Sequence, residues 1–170
     1  RTKLLNGYKR VPSTHITISI HEKCLSIITA RKTRSYSIST ALKGTGQLMG
    51  SLCTPLGKHI VRAKIGEKLP LDSVFIARRP TGEIYSDTLA RSAPNRVWIL
   101  TRIMWLCGTE PGVNRFGHVD SMRRFIYIHG TPDIEPMGIP ASHGCIRMRN
   151  IDVAELFDIT PIGTTVDINP

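Results

Sequence analysis

The stretch "IYIHGTPDIEPMGIPASHGCIRMRN", residues 126–150, joins two apolar runs through a loop rich in proline and glycine. His129 ends the first run, and Cys145 follows sixteen positions later, inside Ser142-His143-Gly144-Cys145. Three prolines restrict the conformations of the loop and hold its two ends in a fixed relation. The arrangement is compatible with a metal site, a catalytic pair or a tight surface turn.

Alternating polar and apolar residues predict β-structure upstream of this loop. In "HITISI", Ile16, Ile18 and Ile20 alternate with polar residues, which is the period of a half-buried strand. "CLSIITA" and "RSYSIST" follow after short polar breaks and predict a meander of hairpins. "CTPLGKHIVRAKI" adds a turn and a further strand.

The remaining elements complete a predicted β domain. The segments "DSVFIAR" and "EIYS" flank a turn signal at 79–82, and residues 86–96 form a short irregular or helical link. "RVWILTRIMWL" is interpreted as one or two buried strands, with a helix as the alternative. "MRRFIYIH" is predicted to be a strand that carries Phe125, Tyr127 and His129 on one face.

One helix is predicted near the C-terminus. Asn150 is expected to N-cap a helix over "IDVAELFD", and "TTVDI" is expected to form the last strand. These elements predict a mainly β fold with minor α content, mostly antiparallel, with a short C-terminal helix.

Composition and charge narrow the function classes. The chain has 170 residues and a net charge of +10, which suits one domain with anionic partners. No nucleic-acid-binding motif accompanies the charge, so nucleic acid is not expected as a partner. The longest apolar stretch is interrupted by Thr101 and Arg102 and is shorter than the ~20 residues that cross a bilayer, so no membrane insertion is expected.

The other three cysteines are interpreted as structural. Cys24, Cys53 and Cys107 lie in or beside apolar stretches, and no two of the cysteines form a Cys-x-x-Cys pair. They are predicted to be buried free thiols that act as small hydrophobic residues. Unpaired thiols fit a reducing compartment better than an oxidising one.

Residue chemistry offers two competing sites at 129–145. An imidazole can take the proton of a thiol that attacks as thiolate, and the successive amides of His143, Gly144 and Cys145 could bind an oxyanion. Alternatively, His129, His143 and Cys145, with His118 as a fourth ligand, could bind zinc. The spacing matches no common zinc pattern, so neither a metal nor another cofactor is expected.

The motifs of this chain resemble one family. His129-Gly130-Thr131, Gly138 and Ser142-His143-Gly144-Cys145-Ile146-Arg147-Met148 resemble the signature of the L,D-transpeptidase catalytic domain, the YkuD family. The upstream "STALKGTGQLMGSLCTPLG" is similar to a conserved loop and turn of that family, with Ala41 in place of the usual glycine. The resemblance implies a single L,D-transpeptidase-like mixed β-sandwich domain over 1–170, with 1–14 as a flexible lead-in.

The resemblance also implies roles for individual residues. Cys145 would be the nucleophile, His129 its general base, and the Gly130 carbonyl the group that orients the imidazole. The residues implied to donate to the oxyanion or to support the loop are His143, Gly144 and Ser142. Those implied to bind substrate are Arg147 and Tyr127. Arg147 has two open interpretations, either binding a substrate carboxylate or bracing the loop.

The substrate and compartment implied by the family are expectations. The family implies acyl transfer on peptidoglycan tetrapeptide stems or soluble muropeptides, through an acyl-enzyme, with water or an amine as acceptor. Unpaired thiols and the lack of a visible export signal favour an L,D-carboxypeptidase in the cytoplasm over a cross-linking enzyme in the periplasm or cell envelope. A non-catalytic peptidoglycan-binding module is the alternative, and a long insertion at 62–117 is expected to cap the groove.

Overall fold

A computed structural model describes residues 14–170 of the protein, and most of the predicted lead-in at 1–14 lies outside the described residues. The described chain forms ten strands, two α-helices and a 3-10 helix at Gly117–Val119. The strands are β1 (His15–Ser19), β2 (Cys24–Ile28), β3 (Thr33–Ser37), β4 (Gly57–Ile65), β5 (Ser73–Ile76), β6 (Arg79–Ile84), β7 (Ile99–Gly108), β8 (Tyr127–Thr131), β9 (Ile146–Arg149) and β10 (Thr165–Asn169). The helices are α1 (Asp87–Ser92) and α2 (Asn150–Ile159).

All ten strands belong to one curled mixed sheet. The main path runs β3-β2-β1-β10-β4-β7-β5-β6, and β8 and β9 extend from β7 as a branch. Two pairs are parallel, β1 with β10 and β8 with β9, and the other pairs are antiparallel. The prediction of a mainly β fold with a short C-terminal helix is therefore confirmed.

The main core lies between the curled sheet and α2. Ile16 and Ile18 are fully buried in β1, as their alternation with polar residues predicts. From α2, Val153, Leu156 and Phe157 pack into the same cluster. Full burial of one such side chain stabilises the fold by about 1.5–3 kcal/mol. The core also includes Ile128 of β8 and Ile146 of β9, so the two strands beside the Cys145 loop have a rigid mount.

One predicted turn and one predicted strand start are wrong. The turn of the β5–β6 hairpin is not at 79–82, because Ile76 pairs with Arg79 and leaves Ala77 and Arg78 as the loop. Ala77 supplies the required positive φ, +52°. Phe125 is not part of β8, because its φ of +58° ends a turn and the strand begins at Tyr127.

The helical predictions differ from the structure in detail. Residues 86–96 contain α1, in agreement with one of the two interpretations. The larger part of "RVWILTRIMWL" belongs to the single strand β7 and does not form a helix. The N-cap of α2 is Arg149, without a side-chain capping bond, and Asn150 is the first helical residue. The Asn150 side chain is used in buried tertiary hydrogen bonds instead, so it is not available to cap the helix.

The segment at 62–117 is mostly part of the sheet. It supplies most of β4, the β5–β6 hairpin, α1 and the central strand β7. Only a short part of it, Arg96 to Ile99, reaches the groove beside Cys145 and forms one wall. The expected cap is thus limited to these four residues.

The thiols and the helices answer two further expectations. Cys24, Cys53 and Cys107 are free, as predicted, but each is only partly buried. Among residues 14–170, neither helix is long and apolar enough to cross a membrane.

Candidate active site

Parallel pairing of β8 and β9 brings the two ends of the 126–150 stretch together. Ile128 pairs with Ile146, and His129 pairs with Arg147. A cavity of about 220 Å³ opens at this point. Its walls contain five of the residues singled out from the sequence and six others, namely His129, Ser142, His143, Cys145 and Arg147, with Arg96, Val97, Trp98, Ile99, Glu135 and Ala141.

His129 is buried and oriented by the main chain. The residue is 4% exposed, and Nδ1 of its ring lies 2.7 Å from the carbonyl oxygen of Gly130. A carbonyl oxygen can only accept, so Nδ1 carries the proton and Nε2 is the free base. Burial lowers the pKa of His129 to about 4, against a raising effect of the Gly130 bond, while Arg147 lowers it further. The imidazole is therefore neutral at pH 7.

Gly130 occupies a position where no side chain fits. A Cβ at this residue would overlap Asn150 Oδ1 and would lie 2.6 Å from the carbonyl oxygen of Leu100. The close approach follows from the bulge in β7, where the pairing with β8 shifts between Leu100 and Ile103. The main-chain carbonyl that orients His129 is thus packed against two other elements.

Cys145 is partly buried and protonated at neutral pH. The Tyr127 amide donates to Sγ at 3.3 Å, and the thiol donates to the Phe125 carbonyl oxygen at 3.4 Å. Burial raises the pKa of Cys145 to about 11, against lowering effects of the Tyr127 amide and the Arg124 charge. Within residues 14–170 the thiol makes these two hydrogen bonds and none to His129. The resting pair is therefore a neutral thiol and a neutral imidazole.

The loop before Cys145 is held by short polar contacts. Ser142 Oγ donates to the Cys145 carbonyl oxygen at 2.6 Å and accepts from the Gly144 amide at 3.3 Å. Thr54 Oγ1 donates to the Gly144 carbonyl oxygen at 3.0 Å. Gly144 has φ +128°, a value that favours glycine. His143, which lies between Ser142 and Gly144, is exposed. The loop therefore presents one exposed side chain over a fixed backbone.

The segment around Ala41 pairs directly with this loop. Ala41 forms a bridge with Ser142, and Ser39 forms one with Arg147. Ala41 is 1% exposed and its amide donates to Thr54 Oγ1 at 3.0 Å. The residue that replaces the family's glycine thus fits into a buried bridge beside the cysteine loop.

Neither Arg147 nor Tyr127 has a side chain that is free and exposed, as a substrate-binding residue would be expected to be. Arg147 donates to Thr131 Oγ1 at 2.8 and 3.2 Å and forms an ion pair with Glu135, contacts that favour the bracing interpretation. Tyr127 is 3% exposed, and its hydroxyl accepts from Arg78 at 2.9 Å. Its ring belongs to a core cluster against which Cys145 also packs, and Tyr127 is not among the residues that line the cavity.

The structure adds residues that the sequence did not single out. Glu135, Arg96 and Trp98 line the cavity, and Arg124 and Thr54 hold the surrounding loops. Arg124 stood in the sequence only as half of an Arg-Arg pair, and nothing in local periodicity distinguishes it from Arg123. Their importance depends on contacts between segments that are distant in the chain.

The four residues considered as alternative zinc ligands do not assemble into a metal site. Within the part of the chain that the structure describes, no group of three His, Cys, Asp or Glu residues is placed to hold a metal ion. His118 is not among the residues that line the cavity of His129, His143 and Cys145.

Comparisons with known proteins agree on one family. The sequence model of the L,D-transpeptidase catalytic domain, YkuD, matches residues 13–168. "Probable L,D-transpeptidase ErfK/SrfK" of Salmonella typhimurium is 49% identical over 45 residues, which cover 26% of this chain and 15% of that protein. Two solved structures share the fold at 15% identity. They are L,D-transpeptidase 3 from Mycobacterium tuberculosis in complex with a faropenem-derived adduct (TM-score 0.57, 93% of this chain and 60% of that one) and an L,D-transpeptidase from Mycobacterium smegmatis (TM-score 0.54, 93% and 59%).

The similarity covers only part of these relatives. The chain spans about 60% of the two mycobacterial structures, and the sequence match to the Salmonella protein spans 15% of its length. The family model at 13–168 and the two structures, which cover 93% of this chain, include the domain that contains the cavity described above.

Proposed function

This chain belongs to the L,D-transpeptidase catalytic domain family, and we propose that it is a cysteine-dependent acyl transferase acting on peptidoglycan tetrapeptide stems. The substrate bond is the one between the diamino acid and the terminal D-Ala. The observation that carries the proposal is the shared cavity of Cys145 and His129, in which Gly130 leaves His129 Nε2 as a free base. We propose the whole of 1–170 as one such catalytic domain.

The first step forms an acyl-enzyme. The Cys145 thiol proton passes to His129 Nε2 as Sγ attacks the carbonyl carbon of the scissile bond, giving a tetrahedral oxyanion. The amides of His143 and Cys145 are the proposed oxyanion donors, since the Gly144 amide already donates to Ser142 Oγ. Collapse breaks the C–N bond, and the proton on Nε2 moves to the departing amine of D-Ala. A thioester on Cys145 remains.

Both pKa values favour a resting pair in which the thiol and the imidazole are uncharged. With the pKa of Cys145 near 11 and that of His129 near 4, a thiolate–imidazolium pair is disfavoured before substrate binds. The pair thus works as nucleophile and general base, in which the proton moves as the thiol attacks. Arg147 and Glu135 are the proposed brace of the loop between the two residues.

Water is the proposed main acceptor in the second step, with an amine as the second possibility. Attack of water on the thioester, with His129 Nε2 taking its proton, releases a tripeptide and restores the thiol. The free thiols of Cys24, Cys53 and Cys107 support this choice, because they fit a reducing compartment. Soluble stem fragments in such a compartment offer few polymeric acceptor strands.

Product masses test both steps. We expect a purified disaccharide-tetrapeptide to lose one D-Ala and yield the tripeptide, with released D-Ala in equal amount. If cross-linked dimers were the main product, the acceptor would be an amine and not water, while the role of Cys145 would be unchanged. No change in the substrate, with the protein folded, would favour the non-catalytic binding module.

A penem probe tests the nucleophile separately. The M. tuberculosis neighbour is in complex with a faropenem-derived adduct, and we expect incubation with faropenem to add mass to the peptide that contains Cys145. The adduct should be absent from Cys145→Ala. An adduct confined to another peptide would contradict the assignment of the nucleophile.

A further inference from the structure

Arg124 fastens a surface loop to the segment that precedes β8. Its guanidinium donates to four acceptors in residues 46–53, at distances from 2.7 to 3.3 Å. These acceptors are the carbonyl oxygens of Gly46, Gln47 and Cys53 and the hydroxyl of Ser51. The residue is only partly exposed. Such a fork needs the planar five-donor geometry of arginine, which lysine cannot reproduce.

The loop that Arg124 holds is in direct contact with the loop that precedes Cys145. A Cβ on Gly144 would lie 3.2 Å from the carbonyl oxygen of Cys53, the same oxygen that Arg124 binds at 2.7 Å. The next residue, Thr54, donates to the Gly144 carbonyl oxygen at 3.0 Å. Gly144 is therefore enclosed by a loop whose position depends on Arg124.

We propose that Arg124 is a positioning residue, which sets the backbone of Gly144 and Cys145 through residues 46–53 and places a positive charge beside the thiol. This inference rests on the proposed role of Cys145 as nucleophile. The guanidinium itself is occupied by its four acceptors, so Arg124 acts through the loop and through its field and not by touching the substrate.

The charges around Cys145 support the second half of the proposal. Burial raises the pKa of Cys145, and the Arg124 charge opposes that rise. Burial likewise lowers the pKa of Arg124, against raising effects of Cys53 and Cys145. The other titratable or charged groups beside the thiol come from the cavity walls and from β8, namely His129, His143, Arg147, Glu135, Arg96 and Tyr127. Of the cations among these, Arg147 and Arg96 are each paired with a glutamate, whereas Arg124 has only neutral acceptors.

Alkylation of Cys145 measures the effect without any peptidoglycan substrate. We would follow iodoacetamide modification of the Cys145 peptide by mass spectrometry from pH 6 to 10 in wild type, Arg124→Met and Arg124→Lys. Losing a cation near the thiol raises the thiol pKa by about 0.5–1 unit. The rate for Arg124→Met below pH 9 should therefore fall by about three- to tenfold.

Arg123→Met is the matched control. Arg123 is the exposed neighbour of Arg124, it lines the same surface depression with Met49 and Leu52, and its side chain makes no hydrogen bond within residues 14–170. Its alkylation profile should match the wild type. An equal shift in both methionine variants would show a general surface-charge effect and overturn the proposal.

Arg124→Lys separates the charge from the fork. It should keep most of the alkylation rate, but amide exchange in 46–53 should become faster, by about tenfold for loss of roughly 1.4 kcal/mol of protection. Unchanged amide exchange in folded Arg124→Lys, or an unchanged alkylation rate in folded Arg124→Met, would each overturn the proposal. Because alkylation needs no stem peptide, a failure here is distinguishable from a failure of the proposed acyl transfer.

Discussion

At the scale of single residues, the environment of Cys145 and His129 keeps each group in its uncharged form. Burial is the largest cause of both pKa shifts, upward for the thiol and downward for the imidazole. In the proposed mechanism the substrate would activate this neutral pair, because attack, proton transfer and oxyanion binding would occur together. This arrangement limits reaction of the free thiol with other electrophiles at neutral pH.

Removing the thiol should abolish turnover and leave the fold intact. Cys145→Ala deletes one partly buried sulfur atom, so we expect the free energy of unfolding to change by no more than about 1–2 kcal/mol. Turnover of a tetrapeptide should fall below detection, while thermal unfolding remains cooperative. Cys107→Ala, which also removes a partly buried thiol, is the control and should retain turnover. Comparable activity in Cys145→Ala and wild type would refute the nucleophile.

Gly130→Ala should lower both stability and turnover. The added methyl group would overlap Asn150 Oδ1 and lie 2.6 Å from the Leu100 carbonyl oxygen, so β8 must shift. We expect a loss of about 2–3 kcal/mol in denaturant unfolding. Gly112→Ala is the control, because it has a positive φ of +75° but open space, and strain alone costs about 1 kcal/mol. Equal losses in the two variants would contradict the steric explanation.

Chelation should leave turnover unchanged. The motivation is chemical, since a thiol and an imidazole suffice for acyl transfer and the spacing of the two histidines and the cysteine fits no common zinc pattern. Turnover would be measured after dialysis against EDTA and again after addition of zinc. Activity lost on chelation and restored by one equivalent of zinc would show that the prediction is wrong.

At the scale of secondary-structure elements, a buried asparagine joins the start of α2 to two strands and a turn. Asn150 Nδ2 donates to the Thr131 carbonyl oxygen at 3.0 Å and to Asp72 Oδ1 at 2.8 Å. Its Oδ1 accepts from Thr101 Oγ1 at 2.7 Å. Thr101 lies in the β7 bulge with φ +69°, an unfavourable value for a β-branched residue, which these bonds help to maintain.

Asn150→Ala should weaken the joint between these elements. Two buried hydrogen-bonding groups and one part-buried carboxylate lose their partner, which we expect to cost about 2–4 kcal/mol in denaturant unfolding. Since Gly130 lies directly against Asn150, turnover should fall as well. Ile151→Ala is the control on the same helix, because Ile151 is 68% exposed and the change should stay within about 0.5 kcal/mol. A stability equal to wild type would remove Asn150 from this role.

At the scale of the whole molecule, two buried histidines make stability depend on pH. The pKa of His129 is about 4, and burial also lowers the pKa of His59, which is 1% exposed. A histidine with a folded pKa below its unfolded value of about 6.5 stabilises the fold fully above that value. The contribution is then lost as the pH falls towards the folded pKa. Asp72 and Asp152, whose pKa values burial raises, act in the opposite direction, because their destabilising effect is relieved as the pH falls through those raised pKa values.

The free energy of unfolding should therefore fall between pH 7 and pH 5. A shift from about 6.5 to about 4 for His129 corresponds to a loss of about 2 kcal/mol over this interval, to which His59 adds in the same direction. His129→Asn should reduce the difference between the two pH values, whatever its effect on stability at pH 7. The exposed His21 offers His21→Asn as a control with the wild-type difference. An equal pH dependence in His129→Asn and wild type would contradict the assignment to His129.

The sequence alone determined the features that depend on local pattern. Alternation located β1, β2 and β3, because each strand exposes one face and buries the other. Spacing and residue type located His129 and Cys145, and the motif around them identified the family before any coordinates. The short C-terminal helix and the closing strand also follow from local signals, although the helix starts one residue earlier than the N-cap prediction required.

Features that depend on contacts between distant segments could not be predicted without the folded structure. The acceptors of Arg124 lie 71 to 78 residues away in the chain, and Asn150 meets Asp72 across 78 residues. The turn at Ala77 and the positive φ of Phe125 are imposed by strand pairing against the local preference of these residues. The pKa values of Cys145 and His129 follow from burial. Residue type sets the chemistry that a side chain can perform, but its charge state, orientation and partners depend on which distant segments pack against it.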